Sequence, residues 1–358
     1  MNIEEIDKNL KATSIKETDV VWKNATEKPF SLHGVFYSDE ERLYRRMPKE
    51  IADSVSRHVG GLSKHTSGGR VRFRTDSPYV AIRVVAQKDN MSSNGSLMRM
   101  YGFSVYSDGV FEGCLRPDFA AYVNATDKFA FETITHGRLS GMRNIEIYFP
   151  LYGGVCEVFI GLKEGSTVKE PEKYPIEKPV VFYGSSITQG SAASRPGVDY
   201  TAVLSRKLNF DYINLGFSGN AKGEPLMADY LAGLSAAVMV LDYDFNAPNA
   251  EWLENTHYPM YEKIRKAHPD MPIVFMTRPN FMYDPKSCIP RRKVIHDNFL
   301  KAKANGDTQV YFCDGKYLLG RKDWSDCTVD NCHPNDIGFS RMAKKLLPIL
   351  KNILCKEK

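Results

Sequence analysis

VVFYGSSITQG, residues 180–190, is the stretch on which the fold turns. Val180 to Tyr183 form an apolar run too short for a helix. It is closed by Gly184 and followed by Ser185-Ser186-Ile187-Thr188-Gln189-Gly190, so it reads as a strand buried on both faces that turns into a helix. The same signature recurs downstream in YINLG (212–216), AAVMVLDY (236–243), PIVFMT (272–277) and TQVYFC (308–313). Between these runs the period becomes helical, over Tyr200 to Leu208, Ala250 to His268 and Pro290 to Asn305. In the last stretch, Ile337 to Leu354, Phe339, Met342, Ala343, Leu346, Leu347, Leu350 and Leu354 fall on one stripe. Doubly buried strands alternating with helices predict a five-stranded parallel α/β sheet with helices on both faces. Sites in such sheets form outside the carboxyl ends of the strands.

Upstream, KEGSTVKEPEKYPIEKP (163–179) is polar and carries three prolines, which oppose helix and central strand alike. It divides the chain into an expected first domain over 1–163, a linker over 164–179 and a second domain over 180–358. The first domain is rich in β-type runs. RVRFRTDSPYVAIRVVA (70–86) alternates, with Ser77-Pro78 as a turn, and FSVYSDGVFEG (103–113) is a hairpin signal around Asp108-Gly109. FAFETITHG and IEIYFPLYGGVCEVFIGL continue the pattern, so an all-β sandwich of jelly-roll kind is expected there.

Composition excludes several classes. With 42% hydrophobic and 25% charged residues, the chain is neither disordered nor fibrous. Its net charge of +5 is spread along the length, which argues against a nucleic-acid partner. The densest basic cluster, Arg291-Arg292-Lys293, reads as a solvated face. There is no run of about 18 apolar residues, so no membrane partner is expected. The N-terminus lacks the basic start and apolar stretch of a signal peptide, and the chain as given reads as cytoplasmic. The seven cysteines are irregularly spaced and read as reduced thiols; Cys332 stands out for its place beside His333. No metal-ligand cluster is apparent, and no cofactor or metal is expected.

Three strand ends and one later segment carry the polar residues that chemistry needs. They are GSSITQG, Gly216-Phe217-Ser218-Gly219-Asn220, Asp242-Tyr243-Asp244-Phe245-Asn246 and Asp330-Asn331-Cys332-His333-Pro334. A serine on a strand-to-helix turn ordinarily caps the helix. Ser186 becomes a nucleophile only with a base, an orienting acid and oxyanion donors in reach. His333 is the candidate base and Asp330 the candidate acid, three residues apart so that one local turn holds both. The candidate oxyanion donors are the backbone N–H of Ser186, the backbone N–H of Gly219 and the side-chain amide of Asn246. Thr188 stands where the α/β-hydrolase elbow requires glycine, and the segment lacks the ending of a phosphate loop.

These four blocks, in this order, resemble those of the SGNH hydrolases, also called GDSL esterases, over Pro179 to the C-terminus. The resemblance implies a flavodoxin-like domain and a serine esterase acting through Ser186, His333 and Asp330. The chain departs from the usual Gly-Asp-Ser-Leu in having Gly184-Ser185-Ser186-Ile187, and Ala247 follows Asn246 where many members carry Asp. The β-rich first half, with RLYRRMP (42–48) and HTSGGRVRFRTDS (65–77), is similar to the N-terminal domain of two-domain carbohydrate esterases. That likeness implies an O-acetylated oligosaccharide as the small-ester partner. Trp324, Tyr243 and Arg278 are candidate substrate contacts by their place alone. Two alternatives remain: a lipid or thioester hydrolase on the same scaffold, and an inactive carbohydrate-binding relative. The oligomeric state is not readable from the sequence.

Overall fold

The computed structural model describes residues 14–137 and 140–355. They form two compact units, one from residues up to Arg46, Lys64–Lys173 and Ser194–Gly197, the other from Met47–Ser63, Tyr174–Ala193 and Val198 onward. The first half of the chain runs β1 (Val20–Asn24), β2 (Ser31–His33), β3 (Phe36–Ser38), β4 (Leu43–Arg45), α1 (Lys49–Val55), α2 (Arg57–Leu62), β5 (Arg70–Thr75) and β6 (Tyr79–Gln87). It continues with α3 (Leu97–Tyr101), β7 (Phe103–Ser107), β8 (Val110–Leu115), α4 (Phe119–Val123), β9 (Lys128–His136), β10 (Arg143–Tyr148), β11 (Val155–Lys163) and β12 (Val168–Lys169).

The strands of the first unit build two larger antiparallel sheets, β1-β11-β6-β9 and β12-β5-β10-β7-β8, with β2 also on β5, and β3 pairs with β4 in a small third one. Asp108 and Gly109 both take positive φ, 47° and 79°, as a two-residue hairpin requires, and β7 and β8 pair across them. Ser77-Pro78 does not close a hairpin; the chain passes there from one sheet to the other, since β5 and β6 belong to different sheets.

Two expectations about the division change. The stretch read as a linker from 164 contributes β12, with Val168 opposite Thr75. Its prolines begin only at Pro171, so the residues before them keep the N–H groups a ladder needs. In addition, α1 and α2 lie in the β-rich half but belong to the second unit. Met47, Ala52 and Val59 are fully buried in the same core as Val181, Leu215 and Met239. Helices this short complete too few turns to show a helical period in sequence.

The second unit continues with β13 (Val180–Gly184), α5 (Ser186–Gln189), α6 (Tyr200–Leu208), β14 (Tyr212–Gly216), α7 (Pro225–Gly233) and β15 (Val238–Asp242). It ends with α8 (Ala250–Ala267), β16 (Ile273–Met276), α9 (Pro285–Ala304), β17 (Val310–Cys313) and α10 (Asp336–Leu354). The sheet is parallel, in the order β14-β13-β15-β16-β17, which is the flavodoxin order 2-1-3-4-5. Every residue of β13 and β15 is buried, as strands covered on both faces must be. Each large apolar side chain so buried stabilises by about 1.5–3 kcal/mol. The period of α10 places Phe339, Met342, Ala343, Leu346 and Leu350 inside.

Two helices differ from expectation. α7 was not anticipated. α9 begins at Pro285, five residues before the expected Pro290, because the Asp284 carboxylate accepts the Ser287 N–H at 3.2 Å and caps it there.

Candidate active site

The carboxyl ends of β13, β14 and β15 bring three of the four polar segments to one edge of the sheet, in register at Gly184, Gly216 and Asp242. Ser185 caps α5, its Oγ accepting the Ile187 N–H at 3.1 Å, which leaves Ser186 as the first helical residue. The serine in place of the usual aspartate therefore still anchors the turn. Gly216 is required by space, since a Cβ there would lie 2.3 Å from the backbone nitrogen of Gln189. α5 thus rests directly on β14.

Ser186 Oγ lies 2.9 Å from His333 Nε2, and His333 Nδ1 lies 2.7 Å from Asp330 Oδ2. Ser186 opens α5, whereas Asp330 and His333 lie in the loop that leads into α10. Asn335 caps α10 by accepting the Gly338 N–H, and its amide donates to the Asp326 carbonyl at 2.7 Å. The loop ahead is closed by Val329 N–H donating to the His333 carbonyl at 3.0 Å. Asp330 Oδ1 accepts the backbone N–H groups of Cys332 at 3.2 Å and His333 at 2.7 Å, with Asn331 in the left-handed region at φ 62°. The three-residue spacing thus works as a tight turn in which one carboxylate grips both backbone and imidazole.

Burial works to raise the Asp330 carboxyl, but the hydrogen bonds and charge of His333 outweigh it and hold the group below its ordinary range. Burial, helped by the neighbouring Asp330 carboxylate, pushes the Cys332 thiol up to about 12. At neutral pH the thiol is therefore protonated.

Gly219 takes φ 70° in a turn closed by Asn220 N–H donating to the Phe217 carbonyl at 2.8 Å. A Cβ at Gly219 would meet nothing within 4 Å, so the backbone conformation is what calls for glycine there. Asn246 ends the short 3-10 turn Asp244–Asn246 after β15, and its Oδ1 accepts the Ala221 N–H at 3.4 Å. That contact fixes the amide by its oxygen and leaves its NH2 to donate elsewhere.

The expected substrate contacts fare differently. Tyr243 is fully buried, packed on Tyr183 and hydrogen-bonded to Thr256 at 3.0 Å, as a core residue is. Arg278 sits at the expected strand end with its side chain drawn inward: it pairs with Asp284 at 3.1 Å and lies over the Phe245 ring. Trp324 is half-buried and packs edge-to-face on Tyr283, their centroids 4.7 Å apart. The basic cluster is also not simply a solvated face. Arg291 is buried and donates to the carbonyls of Asp244 at 2.8 Å and Pro248 at 2.9 Å, while Arg292 pairs with Asp314 and Lys293 with Asp297. Its guanidinium therefore brackets the loop that carries Asn246.

The sequence reading missed a buried polar layer beneath α5. Thr188 Oγ1 and Tyr200 Oη each donate to Asp242 Oδ2 at 2.8 Å. Asn214 donates to the Thr188 carbonyl at 2.7 Å, and Gln189 accepts the Ser218 N–H at 3.0 Å. Burial pushes the Asp242 carboxyl up to about 7 despite those two hydroxyl donors. A signal existed, since Asn214 and Asp242 are polar residues in strands buried on both faces. Asp330, Cys332 and His333 also present one potential ligand atom each within 4.8 Å of one another. Among the described residues no helix is long and apolar enough to cross a membrane.

Residues 177–351 match the model of the GDSL-like lipase/acylhydrolase family, and residues 20–168 match the N-terminal model of SGNH-hydrolase-type esterases. A solved structure from Bacteroides ovatus, described as a GDSL-like lipase, is 27% identical with a TM-score of 0.81, over 94% of this chain and 98% of that one. A salicylyl-acyltransferase of a tetracycline biosynthetic pathway is 21% identical with a TM-score of 0.75, over 95% and 98%. A family two carbohydrate esterase from Clostridium thermocellum, solved with cellohexaose, is 15% identical with a TM-score of 0.64, over 91% and 99%. The latter two share the fold. No match was found among curated proteins.

Proposed function

Since the chain belongs to the GDSL-like lipase/acylhydrolase family, the SGNH-type esterases, we propose that it hydrolyses O-acetyl esters of carbohydrates through an acyl-enzyme on Ser186. The observation that carries the reading is the unbroken contact from Ser186 Oγ to His333 Nε2 and from His333 Nδ1 to Asp330.

Ser186 Oγ attacks the acyl carbonyl while His333 Nε2 takes its proton, and Asp330 holds the ring and stabilises the imidazolium. Negative charge gathers on the former carbonyl oxygen. The N–H groups of Ser186 and Gly219 and the Asn246 amide stabilise it there. His333 returns the proton to the departing sugar hydroxyl. A water, deprotonated by the same imidazole, then releases acetate from Ser186. The carbohydrate part of the proposal draws support from the fold shared with the Clostridium thermocellum esterase.

The test pairs labelling with substrate choice. A fluorophosphonate should label the protein, Ser186→Ala should abolish labelling and ester turnover together, and acetylated xylo-, manno- or gluco-oligosaccharides should release acetate. A preference for nitrophenyl butyrate or longer esters over the acetate would overturn the acetyl assignment. Failure of Ser186 to label, with no ester turnover, would overturn the hydrolase itself.

A further inference from the structure

His333 Nε2 faces two side chains, Ser186 Oγ at 2.9 Å and Cys332 Sγ at 3.8 Å. The first contact belongs to the esterase; the second has no part in it. We propose that Cys332 and His333 form an inhibitory site for a soft divalent cation, Zn2+ foremost, which captures the imidazole nitrogen that Ser186 needs.

The geometry is close to what the ion demands. Tetrahedral Zn2+ holds a thiolate at about 2.3 Å and an imidazole nitrogen at about 2.0–2.1 Å, which puts the two ligand atoms roughly 3.6 Å apart. The observed 3.8 Å matches that spacing closely, and entry of the ion requires the Ser186 hydroxyl, 2.9 Å from the same nitrogen, to turn away. The donor pair is a sulfur and an imidazole nitrogen, a set that selects Zn2+ over Mg2+ or Ca2+. Asp330 already does for the ring what a carboxylate does behind a metal-bound histidine, since its contact with Nδ1 keeps the proton there and leaves Nε2, which here faces Ser186 Oγ at 2.9 Å, as the ligand nitrogen. The same carboxylate accepts the Cys332 N–H, which fixes the backbone from which the thiol projects.

Binding balances simply. The charge of the ion offsets the burial that otherwise keeps the thiol protonated: the Sγ–H bond breaks and its proton passes to solvent, Sγ–Zn and Nε2–Zn bonds form, and nothing is oxidised or reduced. With its Nε2 lone pair held by the ion, His333 has nothing left to accept the Ser186 proton. The inhibitory consequence rests on the hydrolase reading above, while the metal binding does not.

The experiment separates the two. The metal-free full chain is titrated with Co2+, read by the thiolate-to-metal charge-transfer band, and with Zn2+, read by hydrolysis of 4-nitrophenyl acetate and reversal with EDTA. Wild type and Ser186→Ala should both show the Co2+ band. Cys332→Ala and Cys332→Ser should lose it, and the Zn2+ concentration giving half inhibition should rise roughly tenfold or more once the sulfur ligand is gone. No Co2+ band in wild type, or equal Zn2+ sensitivity in wild type and both Cys332 variants, overturns the site. A Cys332-dependent band in a protein without ester turnover sustains the metal site and overturns the hydrolase reading.

Discussion

The carboxylate of Asp242 is the most unusual single group in the second unit. It is buried against Thr188 of α5, and burial raises it from the ordinary 3.8 to about 7. Between those values the native protein holds a proton that the unfolded chain releases. Its contribution to stability is therefore complete below the unfolded value and is lost as pH rises through the folded one. Replacing it by asparagine removes that dependence while keeping a polar partner for Thr188 and Tyr200. Relative to Asp242→Asn, the wild type should lose stability from pH 5 to pH 8, by an amount on the order of a few kcal/mol at about 1.4 per pKa unit. Thermal melts of both proteins across that range decide it, and parallel curves would count against a proton on Asp242. Part of this scale was legible in the sequence: Asp330 and His333, three residues apart, share one turn as the local spacing predicts. Asp242, Asn214 and Thr188 were harder to see, because a polar residue in a buried strand acquires its partners only from other elements.

At the scale of elements, the loop after β15 depends on a helix that follows it by some forty residues in sequence. Arg291 of α9 donates to carbonyls on either side of Asn246 and lies 3.5 Å from the buried Asp244 carboxylate. Truncating it leaves that carboxylate with less compensation in a buried setting, a change that costs about 3–5 kcal/mol. Arg291→Leu should lower stability by that order in chemical denaturation. In the fraction that remains folded, kcat should fall roughly tenfold or more as the Asn246 amide loses its position, with KM changed far less. A variant with unaltered kcat would show that the bracket does not serve Asn246. In sequence, Arg291-Arg292-Lys293 looked like a solvated face because a charge run carries no mark of which member turns inward.

At the scale of the whole molecule, the second unit is not continuous in the chain. Met47, Ala52 and Val59 fill its core from within the β-rich half. A fragment covering 174–358 would leave that part of the core open to water, at about 25 cal/mol for each Å² of apolar surface left uncovered. It should melt well below the full chain and bind a hydrophobic dye such as ANS, whereas a fragment as stable as the full chain would show that α1 and α2 are dispensable to the fold.

The sequence by itself determined what depends on neighbouring residues. Short apolar runs made the parallel strands, the stripe from Phe339 to Leu354 made the last helix, and Asp330 and His333, three apart, made one turn. Tertiary structure alone decided what depends on distant residues. It put Ser186 against His333 across 147 residues, buried Tyr243, turned Arg291 inward and joined Met47–Ser63 to the second unit. The physical reason is that periodicity and turn chemistry act within a few residues, whereas burial and hydrogen-bond partnership are settled only when elements pack.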